Sequence, residues 1–245
     1  MSSNKIDIYW SPAYNPNNPE MSWELLYQNP VSLWDDIKEK RNLESKVDSF
    51  YMCPAASKKM RNTFVWKSPI SMEYKFNKYG IVEPISDQFI NVYQLKRMRS
   101  HSIKNSINFI LDYWLIFFSE QKVKLFVTPP YFHKPGYLQY GATAFGEFDI
   151  SSWYRPINFE VMTWSEEGTF KIEKDEPLFY AHFDSDLDIN LIRYKNTPLL
   201  KKYENECAYA PSHFGLWKPL SERYKMFRSS GLGKNIIKEI KQNLV

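Results

Sequence analysis

Apolar and polar positions alternate in short stretches along most of the chain up to Pro198, and this period of two predicts strands. Ile6 to Trp10 alternates and then meets the turn Ser11-Pro12. Thr63 to Lys67 ends at Ser68-Pro69, after which Met72, Tyr74 and Phe76 alternate with Glu73 and Lys75. Val47 to Cys53, stopped by Pro54, and Ile90 to Leu95 add two more strands, and Lys96-Arg97-Met98-Arg99 reads as a solvated loop. Tyr113 to Phe118 and Lys122 to Thr128 are β-branched and aromatic runs around Ser119-Glu120-Gln121, which predicts a hairpin stopped by Pro129-Pro130. Gly136, Gly141 and Gly146 punctuate a loop-rich stretch ahead of Phe148 to Tyr154. Phe159 to Trp164, Gly168 to Glu173, Leu178 to Asp184 and Ile189 to Tyr194 then follow at a spacing of about ten residues, the rhythm of a sandwich or jelly roll.

Two regions depart from that rhythm. Ala13 to Asn29 carries turn chemistry ahead of Trp23, Leu26 and Tyr27 and reads as an ordered loop; Ser32 to Arg41 predicts a short helix, capped by Ser32 with Asp35 and Asp36 at its positive end. After Pro198 the period changes to helical: Leu199, Leu200 and Tyr203 are interleaved with charges, and Ser221 to Phe227 continues the pattern. Lys234 to Leu244 places Ile236, Ile237, Ile240 and Leu244 on one face, with Gly231 and Gly233 as the break before it. The expected fold is therefore all-β, a β-sandwich or jelly roll, with a C-terminal helical segment. Residues 1–198 form the β-rich domain, and residues 199–245 pack on it or on a protein partner, self-association through the last helix included.

Composition sharpens this picture. Aromatic residues reach 17%, with 17 Tyr, 17 Phe and 8 Trp, and flat rings suit a pleated surface. Hydrophobic residues at 43% and charged residues at 24% are those of a chain that folds. Only 8 Gly stand against 15 Pro, which argues against glycine-rich phosphate loops. The net charge of +4 is spread without a long basic run, so the concentrated stripe of a nucleic-acid binder is missing, although nucleic acid as a partner is not excluded. The two cysteines, Cys53 and Cys207, have no Cys or His at zinc spacing and are expected to be buried free thiols. The N-terminus has no basic region followed by an apolar stretch, which predicts a protein that stays in the cytoplasm where it is made. The most apolar stretch, Ile107 to Phe118, is too short for a bilayer that needs roughly 20 residues, so no membrane span is expected.

Cys53-Pro54, Ser68-Pro69-Ile70, Gly146 through Trp153, Arg155-Pro156-Ile157-Asn158 and Glu176-Pro177-Leu178 together resemble an uncharacterised protein family of tailed phages infecting marine bacteria. The resemblance implies a phage source, hence the host cell cytoplasm, and no activity. The excess of Lys over Arg and the frequent Asn fit an AT-rich genome of that kind.

One arrangement suggests metal chemistry. His182 and Asp184 lie two apart on a predicted strand, so they share a face; His213 follows, and Arg223 comes ten residues after it. Iron and 2-oxoglutarate oxygenases bind Fe(II) through a His-X-Asp pair and a distant His, with a later basic residue holding the 2-oxoglutarate carboxylate. The gap from Asp184 to His213 is short for such a barrel and carries helical signals. The plainer reading makes His182 a strand residue and Asp184-Ser185-Asp186 a hairpin turn. A calcium loop over Asp184, Asp186 and Asp188 fails, because Ile189 and Lys195 stand where Gly and Glu are required. No nucleophile motif of the G-x-S-x-G kind is present, and Gly231-Leu232-Gly233-Lys234 lacks the preceding strand of a phosphate loop. Arg155 beside Trp153 and Tyr154 suits packing over a ring, with stacking on a base or sugar as the alternative. His133 reads as a loop residue.

These observations favour a non-enzymatic phage accessory or structural protein that acts through binding and needs no cofactor. The first alternative is an Fe(II)/2-oxoglutarate-dependent oxygenase, with His182, Asp184 and His213 on the metal and Arg223 on the cofactor. The second is a single-stranded nucleic-acid-binding protein, which requires exposed rings beside Lys and Arg on a sheet face.

Overall fold

The computed structural model describes residues 5–13, 27–39, 53–78, 80–84, 95–100, 106–209 and 219–245. Two sheets packed face to face make the centre. The first runs β14 (Asp188–Arg193), β1 (Lys5–Pro12), β7 (Ile107–Phe118), β11 (Pro156–Thr163) and β9 (Gly141–Thr143), with β6 (Leu95–Ser100) beside β1 on the long β7. The second runs β10 (Gly146–Asp149), β8 (Lys124–Thr128), β13 (Pro177–Asp184), β3 (Thr63–Lys67) and β2 (Val31–Ser32). A small third sheet of β12 (Gly168–Ile172), β4 (Met72–Asn77) and β5 (Gly80–Pro84) adds Met72, Tyr74, Phe76, Phe170 and Ile172 to the same core. Pairing is antiparallel except for β1 on β14. Strand outweighs helix, in line with the β-rich class the alternation predicts.

Strand parity explains the layers. In β1, Ile6, Ile8 and Trp10 face the second sheet and Tyr9 faces away; in β7, Leu115 and Phe117 face in, and Ile116 and Phe118 face away. Both sets are buried, so the run Leu115-Ile116-Phe117-Phe118 is apolar throughout because both faces of this sheet are covered. In the second sheet Phe64, Trp66, Leu125, Val127, Ala181 and Phe183 point inward. Aromatic edges join the sheets: the Trp10 and Trp66 rings meet at 4.7 Å and 74°, and Trp66 meets Phe117 at 5.3 Å, contacts that add about 0.5–1.5 kcal/mol each beyond area burial.

Helices cover the outer faces. Over the first sheet lie α3 (Pro198–Tyr209), α4 (Leu220–Ser230) and α5 (Leu232–Gln242). Ile236, Ile237 and Ile240 are buried against Tyr9, Ile116, Phe118 and Tyr194 of the same chain, so the apolar stripe is covered by its own domain, while Leu244 remains 47% exposed. Gly231, at φ +69°, makes the αL break between α4 and α5, whereas Gly233 lies inside α5. Over the second sheet lie α1 (Leu33–Glu39) and α2 (Pro54–Arg61), whose Leu33 and Met60 pack with Val65 and Tyr180. Ser32 Oγ accepts the Asp35 backbone N–H at 3.1 Å, the cap expected from sequence.

Four expectations need correction. β7 and β8 do not form a hairpin: β7 already has β11 along one edge and β1 with β6 along the other, so the chain turns through Ser119–Val123 into the second sheet. The basic stretch Lys96 to Arg99 is strand β6 rather than loop. Asp184 to Asp188 is a corner between sheets, not a hairpin turn, because β13 and β14 lie in different sheets. It is held by buried Asn62, whose Nδ2 donates to the Ser185 and Leu187 carbonyls at 3.0 and 2.9 Å. Cys53 is exposed, at the start of α2, rather than buried. The predicted strand Val47 to Cys53 before Cys53 itself, the loop Ala13 to Asn29 between its first residue and Tyr27, and Ile90 to Leu95 before Leu95 lie outside the described residues.

Among the described residues no helix is long and apolar enough to cross a membrane.

Candidate functional site

His182 and Asp184 do share the outer face of β13, beneath α2. A cation already sits between them: Lys59 Nζ is 3.2 Å from His182 Nε2 and donates to Asp184 Oδ1 at 3.2 Å. His182 Nδ1 lies 3.0 Å from Thr63 Oγ1, so both ring nitrogens are engaged. Burial, and then the Lys59 charge, push the His182 imidazole below the ordinary histidine value. Neighbouring Asp186 pairs with Lys58. His213 lies outside the described residues. Arg223 lines a cavity whose walls include neither His182 nor Asp184. No group of three or more His, Cys, Asp or Glu side chains among the described residues is placed to hold a metal ion.

The state of His182 is testable. In Lys59→Met, which keeps an apolar stem but removes the charge, its pKa rises yet stays below the ordinary value, because burial is the larger cause; an NMR titration of the imidazole resonances reads this, and an unchanged pKa contradicts it. The sign for stability follows from the depressed folded pKa. On acidification the unfolded chain takes up the proton first, so stability is full above the ordinary histidine value and falls as pH drops from there through the folded pKa.

The cavity is built where α3 and α4 meet the segment between β10 and β11. It is partly open to solvent, offers about 210 Å³ and is lined by Ser152, Trp153, Arg155, Cys207, Arg223 and Phe227, among others. The Arg155 guanidinium carbon lies over the Trp153 ring, 4.8 Å from its centre, a cation–π contact. Trp153 Nε1 and Ser152 Oγ are buried without a hydrogen-bond partner among the described residues. Burial pushes the Cys207 thiol up to about 12, so it stays protonated and unreactive. Tyr154 is likewise driven well above the ordinary phenol value by burial, and its hydroxyl lies 3.2 Å from that of Tyr194. Behind the cavity, burial raises Glu204, whose Oε1 accepts from Lys201 at 2.6 Å. Arg155 thus packs over a neighbouring ring, as the sequence suggests, but it also faces a cavity that Arg223 shares.

A second polar cluster lies under α1. Tyr180 Oη accepts the Phe132 N–H at 3.2 Å and lies 2.6 Å from His133 Nδ1; His133 Nε2 is 2.5 Å from Asp36 Oδ2, and Lys67 donates to Asp36 Oδ1 at 2.9 Å. The Asp36 and His133 side chains are only 5% and 7% exposed. Burial lifts the Tyr180 phenol far above its ordinary value, so it remains a hydrogen donor. His133 is the loop residue that the sequence indicates, yet it fastens α1 and the loop before Lys134 to the sheet. Its partners stand 97 and 47 positions away, so no local pattern announces them.

No family model matches this chain, and neither a curated protein nor a solved structure matches it.

Proposed function

We propose that this chain is a non-enzymatic binding protein, a phage accessory or structural component as its residue resemblance suggests, and that the cavity between α3, α4 and Ser152–Arg155 is its ligand site. The observation that carries this reading is a partly open cavity of about 210 Å³ whose lining joins the apolar Trp153, Met226, Phe227 and Leu232 with Arg155 and Arg223. Ligand sites are concave and largely apolar, with a few convergent polar groups. Cys207 and Tyr154, both held protonated, add no nucleophile there.

Burial argues against the single-strand nucleic-acid alternative. The rings of Trp10, Trp66, Tyr137, Tyr154, Tyr180 and Tyr194 lie inside the molecule, leaving no ring-lined sheet platform from them. For the oxygenase alternative, a metal at His182 and Asp184 has to displace the Lys59 ammonium.

The ligand-site reading predicts that small aromatic fragments raise the melting temperature of the wild-type protein and that Met226→Trp, which fills the cavity from α4, abolishes this effect while the variant still melts cooperatively. Fragment binding that survives Met226→Trp places the ligand elsewhere and defeats the proposal.

A further inference from the structure

We propose that the outer face of α4 and α5 docks on the phosphate backbone of duplex nucleic acid, independently of base sequence. Charge is divided unevenly between the layers of the fold. Residues 195–245, which form the helical layer, hold ten Lys and Arg against four Asp and Glu, a net +6 in a chain whose total is +4, so residues 1–194 are net −2. A sign asymmetry of this kind is the electrostatic footprint of a polyanion partner.

Packing turns the surplus to one side. In α5, Ile236, Ile237 and Ile240 are buried on the sheet, and the helical period sends Lys234 and Lys238 to the opposite, solvent side with Lys241 next to them. In α4, Lys225 and Arg228 are exposed, whereas Met226 and Phe227 line the cavity. Arg228 and Lys234 meet across the Gly231 turn, where they line one open groove, so the two helices present a continuous basic row. Carboxylates do not neutralise it. Lys225, Lys234 and Lys238 have no acidic partner among the described residues. Arg228 is 3.8 Å from Asp149, and Lys241 pairs with Glu120 at 2.6 Å on the margin of the row. Of the layer's own carboxylates, Glu204 is buried and Glu239 accepts from Thr197 and Asn243.

The character of the row selects the partner. Between Lys225 and Lys241 no large apolar side chain is exposed among the described residues, so nothing is offered for insertion into a bilayer and no ring for stacking a single-stranded base. Lys234 to Lys241 covers about 10 Å of helix at about 1.5 Å per residue, and a duplex presents one negative charge per about 1.7 Å of its axis. Each ammonium on this rigid, buried-backed helix therefore has a phosphate within reach of its side chain, and Asn235 and Gln242, also exposed, add amide donors to the same side.

The test is fluorescence anisotropy of a labelled, mixed-sequence DNA duplex titrated with the full chain at several salt concentrations. Four phosphate contacts, from Lys225, Arg228, Lys234 and Lys238, give a slope of about −3.6 in log K against log salt, so affinity is expected to fall roughly 150-fold between about 50 and 200 mM. Lys234→Gln combined with Lys238→Gln should halve the slope and reduce that loss to roughly tenfold. Lys171→Gln combined with Lys174→Gln, which removes the same charge beside the third sheet, should leave the slope unchanged. All four lysines are exposed, so both double variants should melt as the wild type does. No duplex binding at about 50 mM salt overturns the proposal. An equal loss in both double variants overturns it too, because net charge and not a face is then at work. Tighter binding to phosphatidylserine vesicles, to polyglutamate or to a single strand of the same length than to the duplex assigns the row to another partner and overturns it as well.

Discussion

Removal of residues 234–245 is expected to leave a chain that no longer unfolds cooperatively. Ile236, Ile237 and Ile240 close the outer face of the first sheet over Tyr9, Ile116 and Phe118, and fully burying such a side chain is worth about 1.5–3 kcal/mol. Three of them approach the whole stability of an ordinary domain, about 5–15 kcal/mol. The segment also makes backbone bonds: Asn243 O accepts the Lys195 N–H at 2.8 Å, and Val245 N–H donates to Arg193 O at 3.1 Å, so the end of the chain is tied to the end of β14. Ile240→Ala alone should lower the unfolding free energy by about 2–5 kcal/mol, the range for a buried isoleucine cut to alanine. Denaturant unfolding followed by circular dichroism measures both. An unchanged midpoint for Ile240→Ala shows that the stripe contributes nothing.

Asp36→Ala is the second substitution with a large expected effect. The carboxylate accepts from Lys67 and meets His133 in a nearly closed site, and removing one partner of a buried polar pair costs about 3–5 kcal/mol because the other is left uncompensated. Tyr180→Phe should be milder, about 1–3 kcal/mol, since it orphans only the Phe132 N–H and one histidine nitrogen. If instead Tyr180→Phe is the more damaging of the two, the stability of the cluster lies in the phenol and not in the charge. The double variant should fall well short of the sum, because both changes break one connected network.

The sequence is legible where a local pattern carries the structural cause. Thr63 to Lys67 is bounded by its own turn residues, Met72 to Phe76 alternates with one face buried, and Ser32 caps the helix it precedes. The C-terminal helices follow from spacing, and the isoleucine stripe is buried as its period requires. What the pattern does not carry is the choice of partner. The runs before and after Ser119-Glu120-Gln121 look like two arms of a hairpin because a turn looks the same whether the next strand joins the same sheet or the facing one. Lys96 to Arg99 reads as loop from its charges, yet its backbone pairs with β7. Helix α2 is missed because Pro54 ends one expectation and begins the actual helix at its first turn, where proline is tolerated.

The sites divide in the same way. His182 and Asp184 are correctly placed on one face, since period two is local; that Lys59 would come between them from α2 is a tertiary fact. Arg155 and Arg223 both stand out in the sequence, for separate reasons, and only the packing of α4 near the segment after β10 brings them to one cavity. Asn62, Asp36 and His133 carry no motif, and their importance arises from burial alone.

The most direct test of the ligand-site account is the indole N–H resonance of Trp153, assigned by its loss in Trp153→Phe and followed during titration with a small aromatic fragment that raises the melting temperature. Trp153 lines the cavity, so an aromatic ring entering it should shift this resonance in a saturable way through its ring current, while the indole resonance of Trp66, packed among Trp10, Phe117 and Phe179, stays in place. A Trp153 resonance that does not move at fragment concentrations that saturate the rise in melting temperature contradicts the account.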